Sequence, residues 1–115
     1  MKVIKKSEAK RFVNSESCTG FEFGFGNKEL NIAVVTVNGR YPDKGHLVND
    51  VCREIGYVLH GTGIVGIGKT THGLSPGDAV MIEPGEKFYW HGESLEMLMP
   101  CAPAFFPEQH RETEQ

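Results

Sequence analysis

The distribution of glycines and prolines is the feature that most constrains the fold of this chain. Among its 115 residues, 14 Gly and 6 Pro stand mostly singly between short apolar runs and do not collect in one linker. This spacing is typical of many short strands joined by tight turns. Because no segment carries a sustained helical apolar period, the sequence predicts an all-β domain with little helix.

Seven short segments have the β-branched and apolar character of strands, and turn signals separate them. The predicted strands are 30–37, 54–60, 64–68, 70–74, 79–82, 87–91 and 95–99, with two edge strands expected near 10–13 and 21–25. The turn between the second and third of these is predicted at Gly61-Thr62-Gly63. Seven or more short strands predict a β-sandwich or a closed barrel.

Length and charge limit the classes of function that suit the chain. A length of 115 residues predicts one domain, spanning 1–115. The net charge of −3, without a basic stripe, predicts no nucleic-acid partner. No apolar run reaches the roughly 18 to 20 residues of a membrane span, and no apolar segment of a signal peptide follows the basic N-terminus. We therefore expect a cytoplasmic protein with no membrane partner and with reduced, partly buried cysteines.

Two stretches of the sequence resemble the two motifs of the cupin superfamily. The first runs from Gly39 to Gly61 and places Glu54 seven residues before the closing glycine, where the first motif has its glutamate. The second runs from Gly77-Asp78 through Pro84-Gly85 to His91. Together these stretches cover residues 39–92. The resemblance implies a cupin-like double-stranded β-helix (jelly-roll) barrel, and a homodimer, because cupins commonly pair.

The resemblance also implies a metal site, of which the sequence keeps one ligand. Cupins hold a metal with this glutamate and with histidines, and the glutamate position is Glu54. The histidine positions fall on Leu47 and Asn49, or on Val48 and Asp50 in an alignment one residue shorter, and on Phe88. A carboxylate without imidazoles holds a first-row metal poorly. The sequence therefore predicts no His-based metal site and leaves the cofactor open, with none required; a metal site rebuilt from Glu54, His46 and His60 is the alternative.

Strand alternation predicts which side chains line the barrel interior. The expected ligand-binding residues are Asn49, Glu54, Val58, His60, Phe88 and Trp90. Such an aromatic pocket with one acid suits a small ligand. Two plainer interpretations stay open: Phe88 and Trp90 as ordinary core residues, and Glu54 as one half of a structural salt bridge.

Three functions are compatible with these residues. The leading hypothesis is a metal-free small-molecule-binding protein whose ligand the sequence does not identify. The second is an enzyme of the isomerase, lyase or hydrolase kinds, with Glu54 as the catalytic general acid or base or as a ligand of the rebuilt metal site. The third is an oligomerising or regulatory module without catalysis.

The C-terminal segment 100–110 contains three prolines and is predicted to run extended. Its adjacent Phe105 and Phe106 are too apolar for both to lie in water, so one is expected to dock on the barrel of its own subunit or of a partner. Residues 111–115 are expected to fray.

Overall fold

The computed structural model of the protein describes residues 1–114, which form nine strands and two short 3-10 turns. The strands are β1 (Lys10–Ser15), β2 (Cys18–Phe23), β3 (Asn31–Tyr41), β4 (His46–Asn49), β5 (Arg53–Ile67), β6 (Thr70–Leu74), β7 (Ala79–Ile82), β8 (Lys87–Ala102) and β9 (His110–Thr113). The turns cover Lys6–Glu8 and Pro107–Gln109. Within this part of the chain, no helix is long and apolar enough to span a membrane.

All strands join one antiparallel sheet that curls around a common interior. Six strands are hydrogen-bonded in the order β1-β2-β3-β8-β4-β9, and β5 pairs with β6, β7 and β8. The long strand β8 joins these two groups of strands, because it pairs with β3 on one side and with β5 on the other. The predicted all-β jelly-roll barrel with little helix is confirmed.

Two of the predicted turns are bends inside continuous strands. The segments expected at 54–60 and 64–68 form the single strand β5, and those expected at 87–91 and 95–99 form β8. Gly61 supplies the bend in β5, with a φ of +76° that favours glycine. The pairing register between β5 and β8 shifts on both sides of the preceding His60, once between Val58 and His60 and again between His60 and Thr62. Pairing with β8 therefore overrides the local turn signal and leaves a β-bulge.

The packed core fills one part of the interior and leaves a cavity in the other. Its fully buried apolar side chains come from β3, β4, β5, β7 and β8: Val37, Leu47, Val58, Val65, Ile82, Phe88, Leu95 and Met97. These residues alternate along their strands with outward-facing ones, as a pleated sheet with one buried face requires.

The C-terminal segment closes over the sheet of its own subunit. The Phe105 backbone N–H donates to Asn31 Oδ1 at 3.0 Å, and the phenylalanine ring lines the cavity. The chain then enters β9, which pairs with β4. The expectation that residues 111–115 fray is wrong for Arg111–Thr113, which belong to this strand; Arg111 also binds Asp50 at 3.0 Å. Residue 115 lies outside the described part.

Candidate functional site

A cavity of about 480 Å³ lies on the inner face of the curled sheet. Its lining combines five aromatic rings with a few polar groups and comes from β1, β2, β3, β4, β5, β8 and the C-terminal segment. The lining includes Lys10, Phe12, Glu22, Tyr41, Glu54, Phe88, Trp90, Phe105 and His110. The volume falls in the range of small-molecule sites, which span about 300 to 1,000 Å³.

Within residues 1–114, Glu54 is a buried acid to which no cationic side chain is paired. It lies at the start of β5, where burial raises the pKa of its carboxyl group and the hydrogen bond from Asn49 opposes that rise. Asn49 Nδ2 donates to Glu54 Oε1 at 2.6 Å. Two arginines that could pair with it are engaged elsewhere, since Arg53 pairs with Glu83 at 2.7 Å and Arg40 donates to backbone carbonyls. Among residues 1–114 no salt bridge to Glu54 forms, so the structural ion pair considered above is not present there.

His110 faces the same cavity from the first position of β9. Its Nδ1 lies 2.8 Å from Asn49 Oδ1, and its Nε2 lies 3.5 Å from the Tyr41 hydroxyl. Phe105 contacts the imidazole edge-on, with ring centroids 5.6 Å apart. Burial lowers the pKa of His110, because a charged imidazolium is poorly solvated there. Glu54 and His110 are thus hydrogen-bonded to the nitrogen and the oxygen, respectively, of the Asn49 side-chain amide.

Burial also raises the pKa of two further groups that line the cavity, Tyr41 and Cys18. It is the main cause of the raised pKa of the Tyr41 phenol, which lies far above its usual range. The pKa of the Cys18 thiol rises to about 11 for the same reason, with a smaller contribution from the Glu54 charge. All three cysteines are free and buried. Burial therefore disfavours the charged forms of Glu54, His110, Tyr41 and Cys18 alike.

Four of the six predicted ligand-binding residues lie at or beside the cavity. Phe88 and Trp90 line it and contact each other edge-to-face at 5.9 Å. Glu54 lines it as well, while Asn49 is fully buried behind the carboxyl group of Glu54. Val58 belongs to the core and is not among the residues that line the cavity.

The predicted inward orientation of His60 is wrong. Its side chain is 80% exposed and lies 3.9 Å from Glu96 on the outer surface. Strand alternation placed it on the same face as Glu54, but the bulge between Val58 and His60 shifts the alternation by one residue.

The rebuilt metal site of Glu54, His46 and His60 is not assembled. His46 lies on β4 against the ring of Tyr89, with centroids 5.7 Å apart, and does not line the cavity. Across residues 1–114, no three His, Cys, Asp or Glu side chains group as metal ligands would. The positions that correspond to the family's ligands hold a carboxylate, an amide and two hydrocarbon side chains, which do not fit a first-row metal ion.

Sequence reasoning missed His110, Gln109 and Tyr41 as site residues. His110 lies 61 residues from the Asn49 that it contacts, and only the pairing of β4 with β9 brings them together. No short motif marks this contact. The nearest signal was the expected docking of Phe105 or Phe106 on the barrel, a few residues before His110, but it was not extended to His110 itself.

Comparison with known proteins identifies the family. Residues 33–100 match the family model described as "Cupin domain", which is more than half of the chain. The chain belongs to the cupin family. No curated protein matches it.

Solved cupin structures share the fold at low sequence identity. The nucleoside dehydratase Pac13 has a TM-score of 0.86 at 20% identity, over 99% of this chain and 92% of that one. A Streptomyces variant of Pac13 that contains uridine has a TM-score of 0.85 at 22% identity, over 99% and 93% of the two chains. Ectoine synthase from P. lautus has a TM-score of 0.76 at 16% identity, over 98% and 90%. At these identities the similarity shows the fold of this cupin and not its activity.

Proposed function

We propose that this cupin is a metal-independent acid–base enzyme that removes water from a small, uncharged, hydroxylated substrate. The observation that carries the proposal is the pairing of Glu54 and His110 at one cavity, where burial raises the pKa of one and lowers that of the other. Two titratable groups whose environments push their pKa values apart are suited to act as acid and base together. Glu54 keeps a proton to give, and His110 keeps a lone pair to receive one.

The proposed step is an elimination in which protons and electrons balance. His110 Nε2 takes a proton from the carbon next to the carbinol carbon, and that C–H electron pair becomes the new C=C bond. The C–O bond breaks, and the hydroxyl group leaves as water with the proton from Glu54. Since His110 is a weak base, the carbon proton must be acidified by a neighbouring carbonyl group. Exchange with solvent then removes the extra proton from His110 and returns a proton to Glu54.

Structural relatives support dehydration and a nucleoside-sized substrate. Pac13 is described as a nucleoside dehydratase, and its variants contain uridine. The cavity of about 480 Å³ is large enough for such a molecule. Phe12, Phe88, Trp90 and Phe105 supply the apolar surface against which a flat ring packs.

The charges around the cavity favour an uncharged substrate. Lys10 and Glu22 stand directly opposite each other on β1 and β2 and both line the cavity. Their charges cancel, and Lys10 is the one Lys or Arg among the described lining residues. A phosphate or carboxylate that entered beside Glu54 would lose its hydration without gaining a cation, which is costly.

The test uses chelator-treated protein in D2O with nucleosides and small sugars whose hydroxyl lies β to a carbonyl. We expect mass spectrometry to show loss of one water and NMR to show deuterium at the carbon from which the proton is abstracted. Glu54→Gln should slow water loss by about 100-fold or more but retain exchange, because the base is intact. His110→Gln should lose both reactions, and the exposed Glu108→Gln should lose neither.

Two outcomes would contradict the enzymatic proposal. The first is water loss that needs an added metal or that survives in both variants. The second is binding of uridine to the cavity without exchange or elimination of any tested compound. That second result would favour a non-catalytic small-molecule-binding protein, which the aromatic lining also suits.

We also propose that this cupin forms a homodimer through the outer face of its sheet. Phe21, Val34, Leu98 and Tyr57 stand side by side across β2, β3, β8 and β5, and Tyr57 is 43% exposed. Tyr57→Lys is expected to convert a dimer to a monomer in size-exclusion chromatography with light scattering, whereas Val13→Lys on β1 should not. A wild-type monomer at all concentrations would contradict this.

The cytoplasmic location and the lack of a nucleic-acid partner stay predictions.

A further inference from the structure

We infer that Gln109 and Asn49 are positioning residues that determine which atoms of His110 and Glu54 carry the protons. Neither amide needs to touch the substrate for this. The inference rests on the proposed function for its effect on turnover, but the pattern of protons can be measured without any substrate.

The backbone of residues 51 and 52 fixes the orientation of the Gln109 side chain. The N–H groups of Val51 and Cys52 both point at one atom of the Gln109 amide, at 3.2 and 3.0 Å. Because both groups are donors, that atom is the oxygen. Gln109 is only 2% exposed, so solvent does not compete for the position. The amide nitrogen must then face Asn49, and it donates to Asn49 Oδ1 at 3.1 Å.

The orientation of Asn49 follows from that of Gln109. Its oxygen accepts from Gln109, so its nitrogen faces Glu54, where it donates to Oε1 at 2.6 Å. The same Asn49 oxygen lies 2.8 Å from His110 Nδ1. Two acceptors cannot share a hydrogen bond, so Nδ1 carries the hydrogen. Asn49 is completely buried and cannot turn over without leaving these groups unpaired.

The result is an acid and a base with defined reactive atoms. A neutral His110 with hydrogen on Nδ1 presents the lone pair of Nε2, on the side of the ring where the Tyr41 hydroxyl lies. Glu54 accepts from Asn49 through Oε1, so the protonated form of Glu54 carries its proton on Oε2, the oxygen that Asn49 does not occupy. The two backbone N–H groups thus determine the donor–acceptor direction of every hydrogen bond that links Gln109 through Asn49 to Glu54 and His110.

The first test reads the wild-type protein directly. Long-range 1H–15N correlation spectra distinguish the two tautomers of a neutral imidazole, and the His110 signals are those lost in His110→Gln. We expect the Nδ1–H tautomer above the titration range of His110. The Nε2–H tautomer would overturn the inference, whatever activity the protein has.

The second test reverses the direction of these hydrogen bonds by replacing Gln109 with glutamate, a side chain of the same length. In Gln109→Glu the carboxylate has no hydrogen to donate, so Asn49 must turn its nitrogen toward it and away from Glu54. His110 Nδ1 then faces a donor, and its hydrogen is expected to move to Nε2. Turnover should fall about 10-fold or more, since one misdirected proton acceptor forfeits general-base catalysis, while uridine affinity should stay within about 3-fold.

A matched variant and a separate readout keep the outcomes distinct. Glu108→Gln alters the neighbouring exposed residue and is expected to change neither tautomer nor turnover. A Gln109→Glu protein that folds and keeps the Nδ1–H tautomer would overturn the inference. If that variant does not fold, the wild-type spectrum decides alone. A tautomer switch in a protein without any dehydratase activity would support the inference and contradict the proposed function.

Discussion

Asn49→Leu is expected to lower the free energy of unfolding by about 3 to 5 kcal/mol, among the largest effects of any single substitution in this protein. Leucine has nearly the size of asparagine but makes no hydrogen bonds. The substitution strands Glu54 Oε1, Gln109 Nε2 and His110 Nδ1, which all bond to the Asn49 side chain. Each buried polar group left without a partner costs about 1 to 3 kcal/mol.

Urea unfolding of the two proteins measures this loss. Asn14→Leu is the matched control, because Asn14 is exposed and makes one weak bond to the Cys18 sulfur at 3.7 Å. We expect this control to stay within about 0.5 kcal/mol of the wild type. A loss of less than about 1 kcal/mol for Asn49→Leu would mean that the network contributes little to stability.

Glu54→Gln is expected to stabilise the protein relative to the wild type, and by more as pH rises. The pKa of Glu54 is raised in the folded protein. The wild type therefore has no ionisation penalty below the unfolded pKa and loses stability as pH rises from there through the folded pKa. The glutamine variant has no such group. The stability difference between them should grow from about pH 4.5, at up to about 1.4 kcal/mol per pH unit.

Equilibrium unfolding at several pH values tests this dependence, with the exposed Glu108→Gln as control. His110 is present in both proteins, so its effect cancels in the difference. That effect has the opposite sign: because its folded pKa is lowered, it contributes stability above the unfolded pKa that is lost as pH falls. A difference that is constant with pH, or that shrinks as pH rises, would show that Glu54 ionises normally in the folded protein.

The sequence was sufficient for the fold and for one half of the site. Runs of β-branched residues and the two cupin motifs predicted the barrel, and the motif spacing picked out Glu54, Asn49 and Phe88 as interior positions. These features are local, since each depends on residues close together in the chain. The two merged strands differ from prediction because long-range pairing with β8 keeps Gly61 inside a strand despite its turn signal.

The other half of the site depends on contacts that no local pattern reveals. His110 and Gln109 reach Asn49 because β9 pairs with β4 across some 60 residues of chain. His60 was wrongly predicted to point inward, because the prediction assumed regular strand alternation and a β-bulge turns this side chain to the outer face. The proline-rich composition predicted an extended segment that docks a phenylalanine on the barrel, but not that this segment also supplies the base of the proposed reaction.

The most direct test of the account is an NMR titration of Glu54 and His110 in one chelator-treated sample, with 13C-labelled carboxyl and 15N-labelled imidazole groups. We expect the pKa of Glu54 to lie above the ordinary glutamate value and that of His110 to lie below the ordinary histidine value of about 6.5. An acid that still holds its proton would then face a base that is already free. A Glu54 that titrates near its ordinary value of about 4.5, beside a His110 that stays charged at neutral pH, would contradict the acid–base assignment.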